Sequence, residues 1–118
     1  MVTKKEHRVQ TKRAEVRVQV KFGGEVIADS QNAIRLDESG LPPVYYFPRN
    51  DVKMERLSRT AHQTNCPFKG DASYFTISSK GRVAENAVWS YENPLAEVAD
   101  IRELLAFYPN KVDSIATV

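Results

Sequence analysis

Residues 14–30 read AEVRVQVKFGGEVIADS. From residue 15 to residue 21, valines alternate with charged or amide-bearing residues, which is the period of a half-buried β-strand. Gly23 and Gly24 then supply the positive φ angles that a tight hairpin turn requires. The segment therefore predicts a β-hairpin whose second strand runs from residue 25 to residue 30.

The rest of the chain shows further short strand patterns and one helical pattern. The helix is predicted because Asn93 is a favoured N-cap residue, Pro94 takes the first helical position, and apolar residues recur at helical spacing up to Leu105. Residues 53–57 fit either a short helix or a strand. Strands are predicted at residues 32–36, 44–47, 73–77, 83–91 and 110–115. We expect a mainly β fold, a small barrel or two packed antiparallel sheets, with one C-terminal helix.

The bulk composition is that of an ordinary globular domain. The chain has 118 residues, of which 42% are hydrophobic and 27% are charged. It contains no apolar run of the roughly 20 residues that span a bilayer, and no apolar stretch follows the basic N-terminus as in a secretory signal. A single cysteine excludes an intramolecular disulfide. We therefore expect a cytoplasmic protein that has no membrane partner.

Positive charge is concentrated at the N-terminus, although the net charge of the chain is only +2. The first 21 residues hold seven lysines and arginines against two glutamates. We predict a flexible basic leader over residues 1–13 and a single domain over residues 14–118. Such a leader fits a solvated terminus, or a protein-interaction module whose basic arm contacts an acidic partner. The small net charge argues against a nucleic-acid partner.

A polar loop is predicted at residues 60–70, which read TAHQTNCPFKG and include the only cysteine. The reactivity of a cysteine depends on stabilisation of its thiolate, which a nearby histidine or lysine can provide. One hypothesis is therefore an enzyme that uses Cys66 as a nucleophile or redox thiol, with His62 or Lys69 as its helper. The alternative is that Cys66 packs as a small hydrophobic residue.

The same residues argue against a metal site. Structural zinc takes four ligands, commonly from paired cysteines, and Cys66 has no second cysteine to join it. His7 lies in the predicted leader, which leaves His62 as the only histidine of the domain. We predict no metal and no cofactor.

Residues 45–51 read YYFPRND and suggest a ligand-binding edge. Strand alternation sends Tyr45 and Phe47 to one face and Tyr46 to the other. Arg49 and Asp51 follow the strand end, where Asp51 can orient the guanidinium toward a phosphate or carboxylate. The alternative is a surface ion pair that contributes at most about 1 kcal/mol.

Trp89 and Tyr91 form a second aromatic group, directly before the predicted helix. Such a pair can stack on a planar ligand. It can equally close the core over the helix, because buried tryptophan and tyrosine residues usually have their polar groups hydrogen-bonded.

Several segments resemble, in order, the small bacterial and fungal domains grouped as domain of unknown function family 427. They are residues 23–30, 44–52, 64–75, 87–91 with Pro94, and 105–109 with Val112. The resemblance implies a β-rich, tent-like fold similar to that of methionine sulfoxide reductase B and the cereblon-type thalidomide-binding domain. Those relatives hold zinc with paired cysteines, which this chain lacks. The nucleotidyltransferase label sometimes given to the family finds no Gly-Ser and Asp-x-Asp pattern here.

The resemblance also indicates which residues form a pocket. It places recurrent motif positions on Tyr45, Phe47, Arg49, Asp51, Thr64, Cys66, Lys69, Gly70, Tyr74, Trp89 and Tyr91. If these residues lie together in the fold, they form a pocket with aromatic walls and basic donors, which suits a small anionic or planar ligand. We therefore expect first a small-molecule-binding domain, with the enzyme and the interaction module as alternatives. Neither the ligand nor the oligomeric state follows from the sequence.

Overall fold

The computed structural model describes residues 7–118, in which ten β-strands and three short 3-10 helices are present. The strands are β1 (Val9–Arg13), β2 (Val18–Phe22), β3 (Glu25–Ser30), β4 (Ile34–Glu38), β5 (Val44–Tyr46), β6 (Leu57–Cys66), β7 (Gly70–Ser79), β8 (Arg82–Ser90), β9 (Ala106–Phe107) and β10 (Ser114–Thr117). The 3-10 helices are Arg49–Asp51, Met54–Arg56 and Ala96–Ile101.

The strands form three antiparallel sheets, so the expected mainly β class is confirmed. Their strand orders are β1-β4-β5, β10-β2-β3 and β6-β7-β8-β9. Within residues 7–118 the sheets stay open and none closes into a barrel. The fold thus differs in detail from the expected barrel or pair of sheets, because short strands are divided among three sheets.

The predicted hairpin is confirmed as β2 and β3. Gly23 and Gly24 form its turn with φ angles of 63° and 77°, a conformation in which a side chain would be strained. Strand β10 pairs with the other edge of β2. The strand begins at Val18, and Val16 stays outside it with 44% of its surface exposed.

Two hydrophobic clusters fill the interior. The hairpin core takes its large residues from β2, β3 and the segments packed on them: Val20, Phe22, Ile27, Phe47, Phe75, Ile77, Val88, Leu105 and Phe107. The tyrosine core is richer in hydroxyl-bearing rings and comprises Leu36, Tyr46, Ala72, Tyr74, Tyr91, Val98, Ile101 and Ala106. Tyr46 and Phe47 enter opposite cores, and Tyr45 packs beside the hairpin core, as their alternation predicts.

The predicted C-terminal helix is reduced to the six-residue 3-10 helix Ala96–Ile101. Val98 interrupts it with non-helical angles, φ −126° and ψ 32°, and Asn93 does not cap it. Val98 and Ile101 are buried in the tyrosine core, whereas Leu105 exchanges backbone hydrogen bonds with Phe47. The apolar residues with helical spacing therefore pack into two different cores, one of them pairs with Phe47 in a β-bridge, and no α-helix forms.

The predicted polar loop is wrong over most of its length, because Leu57–Cys66 forms the ten-residue strand β6. This strand is the outer one of its sheet and exposes side chains on both faces, so it has no alternation of apolar residues that would reveal it. Residues 60–62 bulge opposite the single residue Tyr74.

The predicted leader also differs, because its residues 9–13 form strand β1. This strand pairs with β4, from Val9 opposite Glu38 to Arg13 opposite Ile34. Val9 is its only apolar residue, so the sequence pattern hid the strand. Residues 1–6 of the predicted leader lie outside the described residues. Among residues 7–118, no helix has the length and apolar character needed to cross a membrane.

Candidate functional site

Four aromatic side chains with polar groups meet at one side of the tyrosine core. The Trp89 indole N–H donates to the Tyr46 hydroxyl at 3.2 Å, and the hydroxyls of Tyr74 and Tyr108 lie 3.2 Å apart. The rings of Trp89 and Tyr108 have centroids 4.5 Å apart. Burial raises the pKa of the Tyr46 hydroxyl and raises the pKa of Tyr108 to about 12. These hydroxyls are therefore neutral and serve as hydrogen-bonding groups within the protein.

Strand register explains why these rings meet. Tyr74 in β7 lies directly opposite Trp89 in β8, so both side chains project from the same face of the sheet. Next to them, Phe47 and Leu105 exchange backbone hydrogen bonds of 2.8 and 2.9 Å, which hold the end of β5 beside β9. Tyr46, at the end of β5, is thereby brought within reach of Trp89.

The two residues predicted as catalytic lie along β6, near this cluster. His62 belongs to the bulge and its ring packs against Tyr74, with centroids 4.5 Å apart. Cys66 is half-buried at the end of the strand and packs beside the tyrosine core. Within residues 7–118, no side-chain hydrogen bond joins the Cys66 thiol to His62 or Lys69. The role of Cys66 and His62 as catalytic residues stays a prediction.

Lys69 is part of a buried charge cluster. Only 8% of the residue is exposed, and its ammonium group contacts one carboxylate oxygen of Glu38. The other oxygen of Glu38 lies 2.8 Å from Nε2 of His7, whose ring stacks on Phe68. An anionic ligand would therefore have to compete with the Glu38 carboxylate for the Lys69 ammonium group.

Arg49 is likewise engaged by a carboxylate. Its Nε donates to the Glu103 carbonyl at 2.7 Å, and a terminal nitrogen donates to Glu92 at 3.1 Å. Arg59 donates twice to the same carboxylate, at 2.9 and 2.6 Å. Both guanidinium groups lie over the Phe75 ring. The hydrogen bonds from Arg59, with smaller contributions from Ser73 and Arg49, lower the pKa of Glu92 to about 2.

The expected pairing of Arg49 with Asp51 is wrong. The Asp51 carboxylate accepts a hydrogen bond of 2.6 Å from the Ser30 hydroxyl, and Arg49 pairs instead with Glu92. The 3-10 helix Arg49–Asp51 turns the chain between them, so these neighbours in sequence reach different partners.

Two other residues predicted to bind a ligand, Phe47 and Tyr91, are buried. Phe47 is 1% exposed in the hairpin core, and Tyr91 is 6% exposed in the tyrosine core.

An apolar groove of about 410 Å³ opens beside the aromatic cluster. We call it the apolar groove; its walls include Leu41, Pro43, Tyr45, Trp89, Tyr108 and Ile115. The polar groups of Trp89 and Tyr108 are hydrogen-bonded to Tyr46 and Tyr74, so the rings present mainly carbon atoms to the groove. Leu41 is 59% exposed at its edge. Burying this surface would be favourable for an apolar ligand.

The apolar groove collects some of the predicted site residues and misses others. Tyr45 and Trp89 line it, whereas among its described walls neither Arg49 nor Lys69 is found. Sequence reasoning missed Tyr108 and Leu41. A signal for Leu41 was present, because a leucine between Gly40 and Pro42-Pro43 lies in a predicted turn, outside every predicted strand; Tyr108 gave none apart from being aromatic.

A larger groove of about 550 Å³ lies elsewhere, bounded by His7, Phe68, Leu95 and Glu97. Size alone favours it, but its walls also include Arg8 and Gln10, and none of its described walls belongs to the predicted site. The apolar groove is the better candidate because its walls are nearly all apolar or aromatic. Among residues 7–118, no three His, Cys, Asp or Glu side chains lie together as metal ligands.

Fold and site define a small, mainly β domain of three antiparallel sheets, with an aromatic cluster beside an apolar groove. A family model described as Domain of unknown function (DUF427) matches residues 10–117. The chain therefore belongs to this family, which confirms the resemblance. The label of the model, NTP_transf_9, names a nucleotidyltransferase, whereas its description assigns no activity. No curated protein matches the chain significantly.

Proposed function

We propose that the protein binds a small, planar, apolar molecule in the apolar groove. The observation that carries this proposal is the inward pairing of polar groups, Trp89 with Tyr46 and Tyr108 with Tyr74, which leaves ring carbons facing the groove. A site built this way selects a ligand by shape and apolar contact.

Size and exposure support the same conclusion. A volume of about 410 Å³ lies within the range of small-molecule sites and accommodates a two-ring compound. Leu41 is 59% exposed beside the groove, and the adjacent prolines restrict the backbone of its wall. A stiff wall loses little conformational freedom when a ligand binds.

The sequence also predicted an anionic ligand, and binding one would require donors other than Arg49 and Lys69. Arg49 and Lys69 are each paired with a carboxylate, Glu92 and Glu38, outside the apolar groove. The enzyme alternative gains no support from the position of Cys66, because His62 packs on Tyr74 and Lys69 pairs with Glu38.

The test is a titration with 2-naphthamide, a neutral planar two-ring compound, followed by calorimetry. Trp89 is the only tryptophan, so its single indole N–H resonance should shift in parallel and locate the ligand. Leu41→Ser should weaken binding about fivefold, because it removes part of the apolar wall.

Leu95→Ser is the matched control, since Leu95 is also exposed but lines the larger groove. It should leave the affinity unchanged. A loss of affinity in Leu95→Ser with none in Leu41→Ser would move the ligand to the larger groove. Absence of both a binding heat and a resonance shift, for this and other neutral planar compounds, would refute the proposal.

A further inference from the structure

A second groove adjoins the apolar groove and is lined by cationic side chains. It has a volume of about 440 Å³, and we call it the basic groove; its walls include Lys12, Arg13, Glu15, Arg35, Tyr45 and Thr117. Tyr45 belongs to both grooves. Strand β10 also borders both, through Ile115 in the apolar groove and Thr117 in the basic groove. A ligand lying against Tyr45 therefore has an apolar site on one side and a basic site on the other.

The register of the first sheet places the key residues in one row. Lys12 in β1 lies directly opposite Arg35 in β4, and Arg35 lies directly opposite Tyr45 in β5. Directly opposed residues of antiparallel strands project from the same face. The row therefore presents two cations and an aromatic ring side by side.

The opposition of Lys12 and Arg35 is electrostatically unfavourable by itself. Like charges at directly opposed positions destabilise a sheet. Arg35 is partly compensated, because its Nε donates to Asp37 at 2.9 Å. Lys12 makes no ion pair with any residue of the described chain. An anion placed between the two cations would relieve the repulsion.

The charge of the groove indicates the charge of that anion. Three cationic side chains, Lys12, Arg13 and Arg35, line the groove beside one carboxylate, Glu15. Asp37 lies outside these walls but is paired with Arg35, so one positive charge remains in excess. A carboxylate carries one negative charge and matches this excess. A phosphate monoester carries about −1.5 to −2 at neutral pH and exceeds it.

We infer that the ligand of the apolar groove is a planar apolar carboxylate whose carboxylate group is held by Lys12 and Arg35. The inference rests on the proposed function, because the apolar part of the molecule must occupy the apolar groove. It adds the chemical class of the ligand and a new pair of binding residues. The ammonium and guanidinium groups supply the charge-assisted hydrogen bonds that Arg49 and Lys69 were expected to make.

The experiment compares 2-naphthoate with its neutral counterpart 2-naphthamide by calorimetry on the full chain. At low salt, 2-naphthoate should bind about tenfold more tightly, and the difference should shrink as salt is added. Lys12→Gln and Arg35→Gln should each remove most of this advantage while leaving the affinity for 2-naphthamide unchanged. Lys80→Gln, at the exposed turn between β7 and β8, is the charge-matched control and should keep the advantage in full.

The unliganded variants give a second measurement. If Lys12 has only a ligand-binding role, Lys12→Gln should keep or raise the melting temperature, because it removes a like-charge opposition. A lowered melting temperature would assign Lys12 a structural role and overturn the inference.

The outcomes separate the two proposals. Tight binding of 2-naphthamide with no gain for 2-naphthoate would overturn the carboxylate assignment and keep the apolar groove as a binding site. Failure of both compounds to bind would overturn both proposals. Tighter binding of 2-naphthyl phosphate than of 2-naphthoate would overturn the choice of a carboxylate in favour of a phosphate.

Discussion

The hairpin core and the tyrosine core are both bordered by charged clusters, and the two clusters differ in exposure. Beside the hairpin core, Arg49 and Arg59 lie over the Phe75 ring and both pair with Glu92, and the three charged side chains are 30–51% exposed. Beside the tyrosine core, the side chains of Glu38 and Lys69 are each only 10% exposed. The first cluster is hydrated, whereas the second has lost most of its contact with water.

Because of this difference in exposure, we expect the two clusters to contribute differently to the stability of the fold. Exposed ion pairs contribute little because water competes for both partners. A buried pair is strongly interdependent, because removing either partner leaves the other charged and poorly solvated. The interior of the hairpin core stabilises the fold by apolar burial, while the tyrosine core uses polar pairs to hold the rings beside the apolar groove. Four substitutions test this contrast.

The largest effect is expected inside the hairpin core. Phe47→Ala should lower the free energy of unfolding by about 4 kcal/mol, because Phe47 is 1% exposed and its ring packs edge-on against Phe107. Urea unfolding measures the change. Val83→Ala, at an exposed position, should stay within about 0.5 kcal/mol of wild type. A loss below about 1 kcal/mol for Phe47→Ala would show that this core is not tightly packed.

The next effect concerns the buried pair. Glu38→Gln should lower the free energy of unfolding by about 3 kcal/mol, because it leaves the Lys69 ammonium buried without its carboxylate. The double variant Glu38→Gln/Lys69→Met should recover part of this loss. If the losses of the single variants simply add in the double variant, the two residues are not coupled.

A smaller effect is expected for the hydrogen bond that orients Trp89. Tyr46→Phe removes the acceptor of the indole N–H and should lower the free energy of unfolding by about 1.5 kcal/mol. It should also shift the fluorescence of the single tryptophan. Tyr45→Phe is the control, because the adjacent ring packs beside the hairpin core and is half-buried. An unchanged spectrum in Tyr46→Phe would mean that this bond does not hold the indole.

The smallest effect is expected at the exposed cluster. The pKa of Glu92 is lowered from 4.5 to about 2, so its carboxylate stabilises the folded state above about pH 4.5, and this contribution is lost as the pH falls toward 2. Glu92→Gln should therefore lower the free energy of unfolding by about 1 kcal/mol at neutral pH.

The difference between Glu92→Gln and wild type should shrink as unfolding is measured at progressively lower pH. Glu97→Gln, at an exposed position without an ion pair in the described chain, controls for the loss of one negative charge. A difference that is constant with pH would contradict the assignment of the lowered pKa to Glu92.

The alternation of apolar and polar residues predicted the strands that have one buried face and one exposed face. The hairpin β2–β3 and the opposite burial of Tyr46 and Phe47 follow from alternation alone. Alternation failed for β1 and β6, because their side chains are mostly polar and either exposed or only half-buried. The helical spacing after Pro94 was misleading, since the buried residues within it serve different cores.

The candidate site was predicted only in its aromatic part. Tyr45 and Trp89 line the apolar groove, but Arg49 and Lys69 are paired with carboxylates that lie 43 and 31 residues away in the chain. Nothing in the neighbourhood of either cation indicates such a distant partner. The assignment of Cys66 and His62 as catalytic residues stays a prediction.

The sequence by itself determined the class of the fold, the central hairpin and the family, because each depends on residues close together in the chain or on their order along it. Only the tertiary structure decided which charges neutralise one another, that Trp89 and Tyr108 turn their polar groups inward, and that Lys12 and Arg35 oppose each other beside Tyr45. These relations join side chains from different strands, and a distance between strands depends on register and packing rather than on local periodicity.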